Sequence, residues 1–469
     1  MSDRTAFAGA TRQAELLRAG ELSSQELVEG YLRRIDALEP QLNAFRIVYR
    51  ERALAEAAQA DARLRAREER PLLGVPIAVK DNMDVAGDVT AYGSGSPGPP
   101  AAKDCELVRR LRAAGVVVIG KTHLSELAIF PFGESAAWGV TRNPWSTEHT
   151  SGGSSAGAAA AVAAGLAAAA LGSDGGGSIR IPAACCHLFG IKPQRGRVSL
   201  APLPEHWHGL TSFGPITRTV ADAALLLDVV SGPAPGDLDR PPPPPSPYVH
   251  ALAADPPPLR IALSFKSPTP GPVSEAVRRP VRELGELLSS LGHRVSEHEP
   301  DYGELRHLFG ARWLRGIYDD SRTLVSDPRR LERRTRQMAA AGRLISADVV
   351  ARARRAEAAL NARLAGTFDS YDVLLTPGLA KPPVNAGRWQ GRSAPVTVLG
   401  VGMFVPFNPV WNLTGQPAAS LPAGFTDDGL PLAVQAISRS NDEHTLLALA
   451  AQVERARRWH ESVPPLAAG

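Results

Sequence analysis

Apolar positions near the N-terminus recur first at helical and then at strand spacing. After Ser23-Ser24-Gln25-Glu26, which has the spacing of a capping box, Leu27, Val28, Tyr31, Leu32, Ile35 and Leu38 fall on one face and predict an amphipathic helix. Val75-Pro76-Ile77-Ala78-Val79 is a short continuous apolar run; it predicts a buried strand that brings Lys80 to its carboxyl end. A helix-like stretch over 104–114 and the run Val116 to Ile119 continue an alternation of helix and strand, which points to α/β architecture. Residues 233–258 hold eleven of the chain's 41 prolines, including Pro241 to Pro245, and predict an extended connection. Beyond it the pattern predicts a strand over 259–265, a helix over 273–291, a strand over 292–298 and then long Ala/Arg helices.

With 469 residues, a sizeable core is available to one large α/β domain or to several smaller ones. Apolar residues make up 44% and charged residues 21% of the chain, as in folded globular proteins. The net charge of +4 is local in origin: residues 311–365 carry thirteen Arg against six Asp or Glu. That stretch has only Trp313 and Tyr318 as aromatics, and its arginines alternate with Leu, Val and Ala at helical spacing. It reads as solvated helix faces rather than a nucleic-acid surface, which would need stacking platforms. Three cysteines, Cys105, Cys185 and Cys186, are too few for a disulfide framework and suit a reducing compartment. The N-terminus shows no apolar signal core, and the uncharged stretch 156–171 is mostly Ala and too short to span a bilayer. The expectation is a cytoplasmic protein without a membrane or nucleic-acid partner.

The candidate chemistry lies in residues 151–180, with eight Gly, eleven Ala and five Ser, and only Asp174 and Arg180 charged. A helix from near Ser155 to Gly165 followed by a strand through Gly172 would return the chain, so that Ser154 and Ser178 can sit side by side. Gly175, Gly176 and Gly177 allow backbone N–H groups to converge as an oxyanion hole does. A serine after such a loop is a candidate nucleophile that needs a base, and no histidine has an evident triad setting. Lys80 is one of only six lysines against 46 arginines, and at the end of an apolar strand desolvation would favour its neutral amine. Pairing of Lys80 with Asp81 or Asp84 is the structural alternative.

Taken together, these residues resemble the amidase signature family, serine hydrolases with a Ser-Ser-Lys triad. The matching pieces are Gly74 to Asp81, Gly139 to Trp145, Ser151-Gly152-Gly153-Ser154-Ser155-Ala156-Gly157, Gly172 to Pro182, Gly190-Ile191-Lys192-Pro193, Gly196-Arg197-Val198-Ser199, Gly214-Pro215 and Asn412 to Pro417. They cover nearly the whole chain in order. The resemblance implies a mixed, largely parallel sheet covered on both faces by helices, as a single domain over 1–469. Within it, 60–232 would hold the triad, 233–258 the connection, and 259–469 would complete the sheet and substrate pocket.

By the same resemblance, Ser178 attacks the carbonyl of a small-molecule amide or related ester or carbamate, Ser154 bridges it to Lys80, and neutral Lys80 is the base. Gly175, Gly176 and Gly177 would form the oxyanion hole, with Ser155, Asp174 and Arg180 supporting, a cis peptide at Gly153–Ser154, no metal or organic cofactor, and a possible homodimer. The alternatives are an amidotransferase subunit that acts only with partners, and an inactive relative. The chain departs from the usual family pattern at Gly175, where Thr, Ile or Ala is commoner, at Ala156 for Gly, at Cys185-Cys186-His187 for Phe-Cys-Gly, and at Gln194 for Thr. The Cys-Cys-His cluster lacks zinc spacing and reads as core.

Two other motifs fail on physical grounds. Gly115 to Thr122 fits the P-loop pattern, but its four central residues are Val-Val-Val-Ile, a strand rather than a phosphate loop. Gly153 to Gly157 fits a nucleophile elbow with Ser155 at its centre, but polar Thr147-Glu148-His149-Thr150 precedes it. Phe130, Phe132, Trp138, Trp207, Phe404 and Trp411 are candidates for lining an acyl pocket, with core packing the stronger reading of each.

Overall fold

The computed structural model describes residues 3–468. Eleven strands form one sheet: β1 (Phe45–Val48), β2 (Pro76–Lys80), β3 (Val117–Thr122), β4 (Ala169–Asp174), β5 (Phe189–Lys192), β6 (Ser212–Thr217), β7 (Arg260–Leu263), β8 (Arg294–Glu297), β9 (Val373–Pro377), β10 (Ala418–Phe425) and β11 (Pro431–Ser438). Their order is β1-β3-β2-β4-β6-β5-β10-β11-β9-β7-β8.

Parallel joins lie in two flanking blocks, β3-β2-β4 and β9-β7-β8. The connections there carry helices long enough to cross over, Glu106–Ala113 between β2 and β3 and Glu275–Ser290 between β7 and β8. The other six joins are antiparallel. Among them β10 and β11 form a hairpin, which can pair only that way. Because β5 pairs with β10, strands from before and after the proline-rich connection share the sheet.

The local patterns account for the elements. The amphipathic helix runs Ser24–Leu42 and starts with a complete capping box between Ser23 and Glu26. Every residue of β2, β3 and β4 is buried, which is why they read as apolar or small-residue runs up to Lys80, Lys121 and Asp174 at their carboxyl ends. All eight residues of the helix Ala156–Ala163 are buried as well. A Cβ on Gly157 would lie 2.0 Å from the Ala44 carbonyl oxygen, so only glycine lets this helix lie so close to the strand-leading segment. The prolines 241–245 lie outside regular structure, and Tyr248 then anchors the connection, its backbone N–H donating to Asp228 at 2.6 Å.

The arginine-rich stretch departs from the expected solvated faces at two positions. Arg312 and Arg334 are buried: Arg312 donates to the His208 carbonyl (2.9 Å) and Glu357 (2.8 Å), and Arg334 lies over the rings of Phe130 and Phe132. Helical spacing alone does not distinguish a guanidinium facing water from one facing a carboxylate or a ring.

Candidate active site

Parallel pairing of β2 with β4 brings their carboxyl ends together, and with them Lys80 and Ser173. Lys80 Nζ lies 2.7 Å from Ser154 Oγ and 2.8 Å from Ser173 Oγ, and all three residues are buried. Burial pushes the Lys80 amine well below its ordinary 10.5, with the Asp174 carboxylate opposing more weakly. The alternative partners are engaged elsewhere. Asp81 pairs with Lys121 and Arg46, each at 2.9 Å, and Asp84 accepts from Thr90 at 2.6 Å. Ser173 was not singled out from the sequence; its signal was its place one residue before Asp174 on the strand beside β2. Asn82 donates its side-chain amide to the same Ser173 hydroxyl at 2.9 Å.

Ser154 sits in a turn that leaves no room for side chains, since a Cβ on Gly153 would lie 2.5 Å from the Phe132 backbone nitrogen. The Gly153–Ser154 peptide is cis. Ser155 ties the segments together: its hydroxyl bonds the Ser173 carbonyl (3.2 Å) and accepts the Ser173 N–H (3.4 Å), while its own N–H reaches the Ser178 carbonyl at 3.3 Å. That hydroxyl is committed to the backbone. The strand before this turn, Ser146–Thr150, belongs to a two-stranded ribbon and is partly exposed, unlike the buried strand an elbow needs.

The loop leading to Ser178 is shaped by a buried ion pair. Asp174 accepts from Arg180 Nη2 and Nε at 2.9 Å each, from the Gly177 N–H at 2.7 Å and from the Ile179 N–H at 3.2 Å. Arg180 and its neighbours hold the Asp174 carboxyl well below the usual carboxylate range. Arg180 is held in turn by Asn412 and Gln435, both at 2.7 Å, which explains why the C-terminal Asn412 to Pro417 segment belongs to the pattern. Because the Gly177 N–H is donated to Asp174, it points away from the expected oxyanion site; Gly176 and Ser178 are the residues of this loop that reach the adjoining cavity.

That cavity has a volume of about 410 Å³. Of the six aromatics considered from sequence, Trp207 alone lines it, joined by Phe309 and Trp313 of the helix Arg306–Thr323 and by Leu399 of the helix Ala394–Gly402. Phe309 and Leu399 carry no signal in the sequence that separates a cavity wall from the core, and Trp313 lies in the arginine-rich stretch that reads as solvated helix faces. Gly175 now has a reason: a Cβ there would lie 2.7 Å from the Trp207 ring, so glycine admits the indole to the cavity wall. Ala156 likewise fills space that Gly133 leaves, since a Cβ on Gly133 would approach its methyl to 2.4 Å. Cys185 and Cys186 are buried and His187 stacks on Phe425 at 4.3 Å between centroids, which is core packing. Among the described residues no group of three His, Cys, Asp or Glu side chains is arranged to hold a metal, and no helix is long and apolar enough to cross a membrane.

This fold and sequence define a hydrolase class: the chain belongs to the amidase signature family, the Amidase family model matching residues 26–447. Within it, the chain is 51% identical over 462 residues, 98% of each chain, to a Mycobacterium tuberculosis protein named "Putative amidase AmiB2". It is 33% identical to the 6-aminohexanoate-cyclic-dimer hydrolase of Paenarthrobacter ureafaciens, over 99% of this chain and 98% of that one. A solved 6-aminohexanoate cyclic dimer hydrolase in complex with substrate superposes with a TM-score of 0.91 at 30% identity, covering 98% of this chain and 99% of the other. A bacterial aryl acylamidase of the amidase signature family superposes with a TM-score of 0.87 at 26% identity, covering 98% of both chains.

Proposed function

We propose that the protein is an amidase that hydrolyses a carboxylic amide, or a related ester or carbamate, to acid and amine through an acyl-enzyme on Ser178. The observation that carries this reading is the buried Lys80 amine, 2.7 Å from Ser154 Oγ and depressed by burial toward its neutral form. A neutral amine has a lone pair for the Ser154 hydroxyl proton and keeps N–H groups for Ser173. Ser154 relays the Ser178 proton to Lys80 as Ser178 Oγ adds to the carbonyl carbon; the relay then delivers that proton to the departing amine. Water then adds its oxygen to the acyl carbonyl carbon as it gives a proton to the relay; the ester bond to Ser178 breaks, the relay returns the proton to Ser178 Oγ, and the acid is released. The developing oxyanion is received by the backbone N–H groups of Gly176 and Ser178, the loop residues that line the cavity. The Gly177 N–H instead holds the loop through Asp174, with Arg180 and Ser155 fixing its position. Preorganised donors of this kind are worth roughly 3–4 kcal/mol each in the transition state.

The test is intact mass after incubation with a small fluorophosphonate, run beside hydrolysis of an aryl amide. One adduct on the unaltered protein, absent from Ser178→Ala, is expected together with amide turnover. An adduct that persists in Ser178→Ala, or a protein that takes no label and turns over no amide, overturns the reading.

A further inference from the structure

The cavity wall is chemically one-sided. It contains no carboxylate, lysine or histidine, and its polar side chains beyond Ser178 are Thr269, Arg306 and the indoles of Trp207 and Trp313. The Trp207 indole N–H is committed to Asp320 at 2.7 Å, leaving hydrocarbon toward the cavity. Phe309 and Trp313 lie 5.7 Å apart between centroids, and Leu399 stands 67% exposed on the helix Ala394–Gly402, extending apolar surface outward. Arg306 is exposed, at the first position of its helix, and no hydrogen bond or ion pair of its side chain occurs among the described residues.

These features rank ligands by charge. An apolar chain is favoured there in proportion to the area it removes from water. A cation inside would be desolvated without a counter-ion and would face the like charge of Arg306. A carboxylate at the far end of an apolar chain instead meets a planar fork of N–H donors. The acyl group stays on Ser178 from the first chemical step to the second, while the amine leaves in the first, so the cavity beside Ser178 suits the acyl half.

Resting on the amidase reading, we propose that the cavity takes an acyl group that is apolar along its length, rejects a cationic one, and favours a carboxylate at the far end through Arg306. Arg306 is then a specificity-determining residue for this reaction.

The experiment uses para-nitroanilides of hexanoyl, octanoyl and decanoyl chains whose far end is methyl, carboxylate or ammonium. At the best-fitting length, kcat/KM for the carboxylate is expected to exceed that for methyl by roughly three- to tenfold, the modest scale of a charge-assisted contact at an exposed rim. The ammonium compound is expected to fall about tenfold or more below methyl. Arg306→Gln collapses the carboxylate-to-methyl ratio toward unity, while Arg306→Lys retains part of it. Equal use of ammonium and methyl ends, or a carboxylate preference that survives Arg306→Gln, overturns the proposal. Binding of the same compounds to Ser178→Ala, followed by tryptophan fluorescence, reads the ranking without turnover. Failure of the catalytic reading therefore leaves this test intact: the same order of affinities supports the cavity assignment, and a flat or inverted order refutes it.

Discussion

Asp174→Asn isolates the electrostatic device that shapes the loop carrying Ser178. The carboxylate accepts two bonds from Arg180 at 2.9 Å and the N–H groups of Gly177 and Ile179 at 2.7 and 3.2 Å, with the Asn412 side chain donating to it at 2.8 Å. An asparagine fills the same volume but replaces one acceptor by a donor. If its amide nitrogen takes the Oδ2 position, it opposes both the Ile179 N–H and Arg180 Nε, so two bonds are lost. At roughly 1.5–3 kcal/mol for each hydrogen bond to a charged group, the loss is about 3–6 kcal/mol. Removing one partner of a buried ion pair leads independently to about 3–5 kcal/mol. Arg180 is 1% exposed, so water does not take over the abandoned charge.

The assay is a chemical-denaturation midpoint for the unaltered protein, Asp174→Asn, Arg180→Met and the double variant, with kcat/KM measured on each. The double variant should cost less than the sum of the single changes by about 2 kcal/mol or more, because it leaves no unpaired charge. Activity should fall in Asp174→Asn even at temperatures where it is folded, since the Gly177 N–H loses its anchor. A single-variant cost below about 1 kcal/mol, or strict additivity, would refute the argument. The pH dependence has a definite sign. The carboxyl is held below its unfolded value, so its contribution to stability is present above about pH 4 and lost as pH falls through the folded value; Asp174→Asn should therefore show a flatter acid limb.

If Lys80 acts as a neutral base, kcat/KM rises with pH through its titration and levels off below 10.5, because burial lowers its pKa; Lys80→Arg, always charged, should lose roughly two to four orders of magnitude and this ascending limb, and retention of both would exclude Lys80 as base. Gly175→Ala places a methyl against the Trp207 ring and should cost about 1–3 kcal/mol while weakening binding of long acyl chains; a thermal melt and a KM series check it. Glu126 is pushed up to about 7 by burial, so its contribution favours the fold below its unfolded value of 4.5 and is lost as pH rises through about 7. Glu126→Gln should thus gain stability relative to the unaltered protein between pH 5 and 8, by roughly 2–3 kcal/mol, and a pH-independent difference in denaturation midpoints would contradict this.

Sequence alone carried the local determinants. The capping box at Ser23, the apolar run ending in Lys80 and the small-residue segment around Ser154 and Ser178 each reflect a requirement confined to a few neighbouring residues: an unpaired helix N–H, a strand buried on both faces, or backbones in contact. Those requirements also made the family legible. What depended on the tertiary structure was which of these groups meet. The choice of Ser173 and Ser154 over Asp81 as Lys80's partners follows from β2 lying parallel to β4, a pairing between segments some ninety positions apart. The diversion of the Gly177 N–H to Asp174, the space Gly175 yields to Trp207, and an apolar cavity walled by two distant helices likewise arise from long-range packing. Such contacts leave no periodicity in the chain, because an apolar residue facing a substrate cavity and one facing the core satisfy the same hydrophobic pattern.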